Sequence, residues 1–369
     1  MNHDQVLAQF DAWLKDDSPV AAVVIRQWLV PVEGKGAVIF PPTYPIDGEQ
    51  AGYNIDRFED GSNVCQIDSV GSQANRMEPI FKRERYSKLV PQVIIHAGEN
   101  EVNLLDAGHR AADAVVRFSD LKEELEMAFR ALQNQGNAEP LARVAPTTLV
   151  FGAWDSRGTQ AKVPRIVRSV VRAFQVDVLH RSAQYIPPVD YVGVGLLDAP
   201  TDRRQQDSMS EQGLSHAPAA WTHGGVRVRE GGEIRRDASL NLAAIRALGG
   251  ASQPGDGALK LRRYILGLSL VALTAPQETF LREGCQLVPD ADHAAEWKLV
   301  HHDGHQKSFL LSHEEALAYA EAAAKAFGVG QSRRADFKPD VARRELAKSK
   351  EERKAGRRRD RSTLERGGA

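Results

Sequence analysis

The segment from Gly152 to Lys162 has the residue types that could cradle a phosphate. It offers Gly158 beside the hydroxyls of Ser156 and Thr159, with Gln160 and Arg157, and is followed by Lys162, Arg165, Arg168 and Arg172. Small residues let backbone N–H groups approach oxyanions, and nearby Lys or Arg balances the charge. The nucleotide-hydrolase pattern G-x-x-x-x-G-K-[ST] is not met, because Thr159 follows Gly158, so an ATPase of that kind is excluded. The plainer alternative is a polar turn between a strand and a basic helix face. A second cluster, Ser69 to Arg85, contains Ser72, Gln73, Asn75, Arg76, Lys82, Arg83 and Arg85. At about 100° per residue Ser72, Arg76 and Arg83 fall on one helix face, although Pro79 predicts a kink or two short helices. Asn and Gln beside Arg suit sugar and phosphate contacts, and the same residues also cap helices.

Three further constellations are weaker. His109 with Arg110, Asp113 and Arg117 could be an acid–base group, but no nucleophile is placed beside it, and an ion-paired helix start explains it better. His301, His302, Asp303 and His305 straddle an expected hairpin turn and lack a fourth ligand at a recognised metal spacing. Ser208, Ser210, Ser215, His216 and His223 have no G-x-S-x-G elbow, and loop polarity accounts for them. No catalytic residue, metal or cofactor is assigned from these patterns.

The elements that must position these residues follow from periodicity. Phe10, Trp13 and Leu14 mark a short amphipathic helix, and Val20–Val32 a buried strand that starts the central sheet. The prolines at 41, 42 and 45 predict a loop from Phe40 to about Asn63. Asp120-x-x-Glu123 and Ser312-x-x-Glu315 read as capping boxes opening helices that stop at Gly136 and Gly328. Thr147–Phe151 and Val171–Leu179 read as strands, Leu240–Leu248 as a helix ended by Gly249 and Gly250, and Leu259–Thr274 as a buried helix. Asp303–Gly304 between Trp297–His301 and Lys307–Leu310 signals a hairpin. The polar span Leu197–Gly225 is too long for a simple connection and is a candidate arm or lid. Together these give an α+β core with protruding loops.

Composition bounds the class. The chain has 369 residues, 42% hydrophobic and 26% charged, which excludes a wholly disordered or fibrous protein. The longest apolar stretch, Tyr264–Pro276, is too short to span a bilayer. The N-terminus lacks the pattern of a secretory signal, so a cytoplasmic address is expected. With two cysteines, Cys65 and Cys285, there is no disulfide framework or C-x-x-C motif. A net charge of −1 hides an asymmetry: Ser332–Ala369 carries 14 Lys plus Arg against 7 Asp plus Glu. Its densest part includes Arg343, Arg344, Lys348, Lys350, Arg353, Lys354, Arg357, Arg358, Arg359 and Arg361. Residues 331–369 are expected to be a flexible basic tail, either a solubilising segment or an arm that neutralises phosphates.

Eight runs of the chain, in order, carry a resemblance to a known family. They are QIDSVGSQANRMEPIF (66–81), LLDAGHRAADAVVR (104–117), TTLVFGAWDSRG (147–158), KVPRIVRS (162–169), SEQGLSH (210–216), GGEIRRDASLNLAAIRAL (231–248), LRRYILGLSLVALT (261–274) and FLREGCQLVP (280–289). The sequence resembles the crRNA-binding backbone subunit of type I-G (formerly I-U) CRISPR surveillance complexes, in the RAMP superfamily. The resemblance implies an RRM-like, ferredoxin-type palm over residues 1–330 with inserted finger and thumb loops, for which the span 197–225 is the candidate. It implies a non-enzymatic protein whose copies stack head to tail along crRNA and leave the bases free to pair with target DNA, as part of antiviral defence. The implied partners are a fused guide-processing and handle-binding subunit and a large subunit, with no membrane. Carried over by position, Ser72, Gln73, Asn75 and Arg76 become the first candidates for guide-backbone contacts. Arg157, Gly158, Lys162, Arg165 and Arg168 come next, and Arg83 and Arg110 complete the set. There is no RNP1-like aromatic run of the ordinary RRM kind, which agrees with sequence reading delegated to base pairing. The competing enzyme class is a RAMP-type endoribonuclease using His109 or Asp68, and a nucleotide-binding regulator built on the 152–162 loop is a third.

Overall fold

A computed structural model describes residues 3–46, 50–249 and 256–348. In chain order the elements that matter here are β1 (Val20–Pro31), β2 (Asn63–Asp68), α1 (Val70–Met77), β3 (Val93–Ala97), α2 (Lys122–Gln135), β4 (Val167–Tyr185) and β5 (Ala217–Asn241). They continue with α3 (Asp256–Thr274), β6 (Cys285–Pro289), β7 (Glu296–His301), α4 (His313–Phe327) and β8 (Arg333–Asp336). The central sheet runs β6–β1–β5–β4–β2, and β7 shares the outer edge of β1 with β6. Every pairing among these strands is antiparallel. Four of them, β7–β1–β5–β4, are crossed by α1 and its neighbours between β1 and β4, and by α3 between β5 and β7. This mixed α/β arrangement is consistent with the expected ferredoxin-type palm.

One face of the sheet holds the core. Val23, Ile25, Ala238, Leu240 and Val167 pack beneath α3 and α4, while Ala173, Ile234, Cys65, Ile67, Leu281 and Leu287 form a second cluster nearer the far end. The α3 helix is buried almost all round because it lies between the sheet and α4. At Gly267 an added Cβ would sit 2.8 Å from the Cα of Ala320, so this helix pair approaches more closely than any larger residue permits. Ser312 caps α4 through the capping box, and Gly136 ends α2 with φ 65°, as the sequence indicates.

Beyond the core, β4 and β5 continue as an arm. Their ladder runs from Val167↔Leu240 out to Tyr185↔Ala217, and at about 3.3 Å per residue β4 extends about 60 Å. The register shifts at Gln175, whose φ is 57°. The Tyr53 hydroxyl accepts the Gly225 N–H and ties the arm's root to the second cluster. Past the root the apolar side chains Ile186, Val194, Leu196 and Trp221 are exposed, and a short helix, Arg203–Glu211, buries nothing.

Several expectations are corrected. The span 40–63 is not a loop: Thr43–Ile46 pairs with Gln50–Tyr53, and Ile55–Arg57 pairs with β2. Pro45 is tolerated because this two-stranded ribbon leaves edge positions without a ladder donor. Thr147–Phe151 is helical, not extended, as part of Pro146–Phe151. Pro146 at the first helical position favours that start, and a short, fully buried apolar run has no period to separate the two states. The helix expected over Leu240–Leu248 is only Leu242–Arg246, because β5 runs through Asn241, whose side chain caps it; Gly250 lies outside the described residues. Asp120 makes no capping box; its carboxylate instead accepts the Asp336 N–H and pairs with Lys338. The candidate thumb at 197–225 covers only part of the arm, which begins inside β4.

The tail expected from residue 331 starts with structure. β8 pairs in parallel with β3, and Pro339–Ala347 is a helix. Of the densest basic part, Arg343 and Arg344 lie in that helix and Lys348 follows it, while residues 349–369 lie outside the described residues. No helix among the described residues is long and apolar enough to cross a membrane.

Candidate nucleic-acid interface

Alternation along the strands splits the sheet residues into two chemically distinct sets. Toward the helices the cross-strand row Gln27↔Arg236↔Val171↔Asp68 brings three polar residues to the boundary of the second apolar cluster, to which Val171 belongs. Arg236 donates from Nε to Ser169 Oγ at 2.9 Å, and Ser169 Oγ donates to Gln73 Oε1 at 2.7 Å. Gln73 Nε2 donates to Asp68 Oδ2 at 2.6 Å, where Arg76 Nε also donates at 3.1 Å. The α1 helix thus seats on the sheet through its Gln and Arg, held at its start by Ser69, whose Oγ accepts the Ser72 N–H. Arg76 also donates to the Leu281 carbonyl. Gln73 is buried and Ser72 and Arg76 are half-buried, whereas Asn75 and Arg83 are exposed.

Arg110 joins this helix to the glycine loop. Its side chain is 3% exposed, with Nε 2.6 Å from Glu78 Oε2. Nη2 donates to Asn75 Oδ1 at 3.1 Å, Nη1 donates to the Gly152 carbonyl at 3.3 Å, and the guanidinium lies over the Phe151 ring. Burial pushes the Glu78 carboxyl up and the Arg110 guanidinium down, each against the attraction of its partner. Desolvation outweighs attraction in this pair, so it fixes geometry more than it adds stability. Two segments far apart in sequence, around Asn75 and around Gly152, therefore meet at one arginine.

The glycine loop itself is occupied by its own carboxylate. Asp155 accepts the Gly158 N–H at 2.9 Å and both the N–H and Oγ1 of Thr159. These are the donors that a phosphate cradle would present, so the loop is a self-closed turn between the paired Ala153–Trp154 and Lys162–Val163. Arg157, Lys162, Arg165 and Arg168 remain exposed around it. Lys162 Nζ lies 5.3 Å from the centre of the Trp154 ring, and Arg165 Nε donates to the Phe151 carbonyl. The other sequence candidates are placed without a shared site. His109 is exposed and its N–H is taken by Asp113, which caps Ala114–Arg117. Asp68 is buried among its donors. Among the described residues no cluster of His, Cys, Asp and Glu could hold a metal.

The opposite face of the sheet contributes to neither apolar cluster. One row across it reads Trp28↔Arg235↔Arg172↔Gln66, and the flanking rows bring Arg26↔Asp237 and Glu233↔Phe174. Arg26 is exposed, and the Arg172 side chain keeps 34% of its surface. Arg235 lies over the Phe174 ring and pairs with Glu233 and Asp237. Arg168, two residues from Val170 and four from Arg172, shares this face of β4. The basic residues after the loop thus run onto an open sheet surface bearing two aromatic rings. Sequence reasoning missed Arg26, Trp28, Phe174 and Arg235; the signal was the alternation in RQW (26–28) and in RSVVRAF (168–174).

A family model described as CRISPR-associated protein GSU0053 matches residues 23–178. A CRISPR-associated domain related to the RAMP proteins is therefore present over that part of the chain. The matched region runs from β1 to the root of the arm and contains every candidate contact residue from Ser72 to Arg168. No curated protein matches the sequence.

Proposed function

We propose that this chain is a crRNA-binding backbone subunit of a type I-G CRISPR surveillance complex. Its copies stack head to tail along the guide, hold its phosphate backbone and leave its bases to pair with target DNA. The observation that carries the reading is the open sheet face: Arg235 and Arg172 in one row with Trp28, flanked by Arg26, Arg168 and Phe174, on a domain of CRISPR-associated type, with no core cluster drawn from it among the described residues. Arginine neutralises phosphate whatever the sequence, and aromatic faces stack any base. The cations Arg157, Lys162, Arg165 and Arg168 are exposed as well, and Arg168 lies on the same face of β4. The arm, with exposed apolar side chains beyond its root, supplies the reach for a heterologous contact that propagates instead of closing. In this reading the subunit is not an enzyme, and the large and guide-processing subunits complete the particle.

The test is co-expression with a CRISPR array, followed by purification and assembly on single-stranded RNAs of graded length. RNA in the purified protein, and mass that rises in steps of one protomer with RNA length, support the proposal. A fixed monomer or dimer on every length, with the handle-binding subunit present, overturns the filament. Cleavage of a labelled complementary RNA that depends on His109 transfers the assignment to a RAMP-type endoribonuclease.

A further inference from the structure

The hairpin that the glycine loop closes carries an exposed tryptophan. Ala153–Trp154 pairs with Lys162–Val163, and Trp154 stands directly opposite Lys162. Side chains of directly opposed residues share one face of a ribbon, and Lys162 Nζ lies over the Trp154 ring, 5.3 Å from its centre. Trp154 is nonetheless 58% exposed. The other tryptophans are engaged differently. Trp13 is in the core, Trp28 donates its Nε1–H to Glu233 and lies beside His293, and Trp297 packs near Phe309. Trp221, on the arm, has His180 and His223 against its ring. Among the described residues Trp154 has a cation on its ring and no aromatic partner.

The hairpin is fixed at both ends. At its tip Asp155 accepts from Gly158 and Thr159, and the Gln160 N–H donates to the Asp155 carbonyl. At its root Arg110 holds the Gly152 carbonyl, and a Cβ added at Gly152 would sit 2.7 Å from Arg165 Cγ and 2.9 Å from the Val163 carbonyl oxygen. An aromatic side chain presented on such a support loses little freedom when it binds. The surroundings are cationic. From Leu141 to Val176 the chain has one acid, Asp155, whose oxygens are used within the turn, against Arg143, Arg157, Lys162, Arg165, Arg168 and Arg172. A large aromatic face among cations fits a single-stranded nucleotide better than an apolar protein surface, because the base takes the ring and the phosphate takes the charge.

We infer that Trp154 stacks one base of the bound RNA in each subunit, with an adjoining phosphate on Lys162 and Arg157. This rests on the RNA-binding reading above and adds to it a base contact outside the central sheet. Stacking takes the π-face of a base, is indifferent to its identity and leaves the pairing edge free. Asp155, which closes the loop to a phosphate, is in this account the residue that aims the tryptophan.

The test is fluorescence anisotropy of the full chain, freed of bound RNA, with two labelled oligomers on the order of ten nucleotides long. One is oligouridylate; the other is its abasic counterpart, which keeps every phosphate and lacks the bases. Trp154→Ala should weaken oligouridylate binding about tenfold and leave the abasic oligomer unaffected, while Trp154→Phe keeps most of the affinity. Lys162→Gln should weaken both oligomers alike and lower the log–log salt slope by about 0.7. An unchanged melting temperature of Trp154→Ala confirms that the fold is intact, as its exposure leads one to expect. If the native chain binds neither oligomer, the RNA-binding reading falls and takes this inference with it. If the native chain binds oligouridylate and Trp154→Ala changes neither affinity, or lowers both equally, the inference alone is overturned. Trp154→Ala that spares RNA affinity but prevents stepwise assembly also overturns it, and makes the hairpin a contact between subunits.

Discussion

The two faces of the central sheet carry arginines in opposite circumstances. On the helix side Arg76 is held by Asp68 and a carbonyl, and nearby Arg110 is locked to Glu78, Asn75 and Gly152. On the open side Arg235 is likewise taken by Glu233 and Asp237, but Arg26 and Arg168 are exposed and Arg172 lies 4.0 Å from Asp237. A guanidinium whose donors are already used organises the fold, whereas one whose donors face water is available to a phosphate. The difference teaches that a motif rich in Arg, Asn and Gln is ambiguous until its acceptors are known.

Breaking the closed side should have the largest effect. Arg110→Met leaves Glu78 buried without its counter-ion and should cost about 3–5 kcal/mol of stability, read from the urea midpoint. Adding Glu78→Leu should restore most of it, because an apolar pair replaces an ionic one at little cost. If the single variant is as stable as the native chain, the pair does not organise this face.

On the open side, Trp28→Ala should weaken RNA binding by about 1–3 kcal/mol if a base stacks there. Fluorescence anisotropy with unrelated RNAs should show similar losses, and a loss confined to one sequence would contradict a base-tolerant surface. Arg168→Ala combined with Arg172→Ala should lower affinity roughly tenfold. Because each phosphate on a single strand contributes a slope of about 0.7, the log–log salt dependence should fall by roughly 1.4. An unchanged slope would move the phosphate path away from β4. The smallest effect belongs to Arg26→Ala, which should shift stability by less than about 0.5 kcal/mol. Its affinity loss should be smaller than that of the double variant.

Much of the frame is legible in the residues. Alternation and apolar runs mark β1 and β4, and the Ser312–Glu315 box and the glycines at 136 and 328 bound two helices. The Asp303–Gly304 turn between β7 and Gln306–Ser308 follows its local chemistry too, with Gly304 at φ 85°. Failures occur where local chemistry is shared by two outcomes. Asp120 satisfies the capping pattern as well as any aspartate could, yet a more distant backbone N–H and Lys338 take its oxygens.

What the sequence by itself determined is therefore the set of strong local signals: strand alternation, helix caps, glycine turns and a CRISPR-associated domain over residues 23–178. Only the tertiary structure decided which cations are free. Asp155 closes the glycine loop on itself, Asp68 takes Arg76, and Glu78 takes Arg110, while cross-strand register gathers Trp28, Arg235, Arg172 and Gln66 from four strands onto one face. The physical reason is range: caps and periodicity act over a few residues, whereas the partner of a charged side chain is whichever group the fold brings near it.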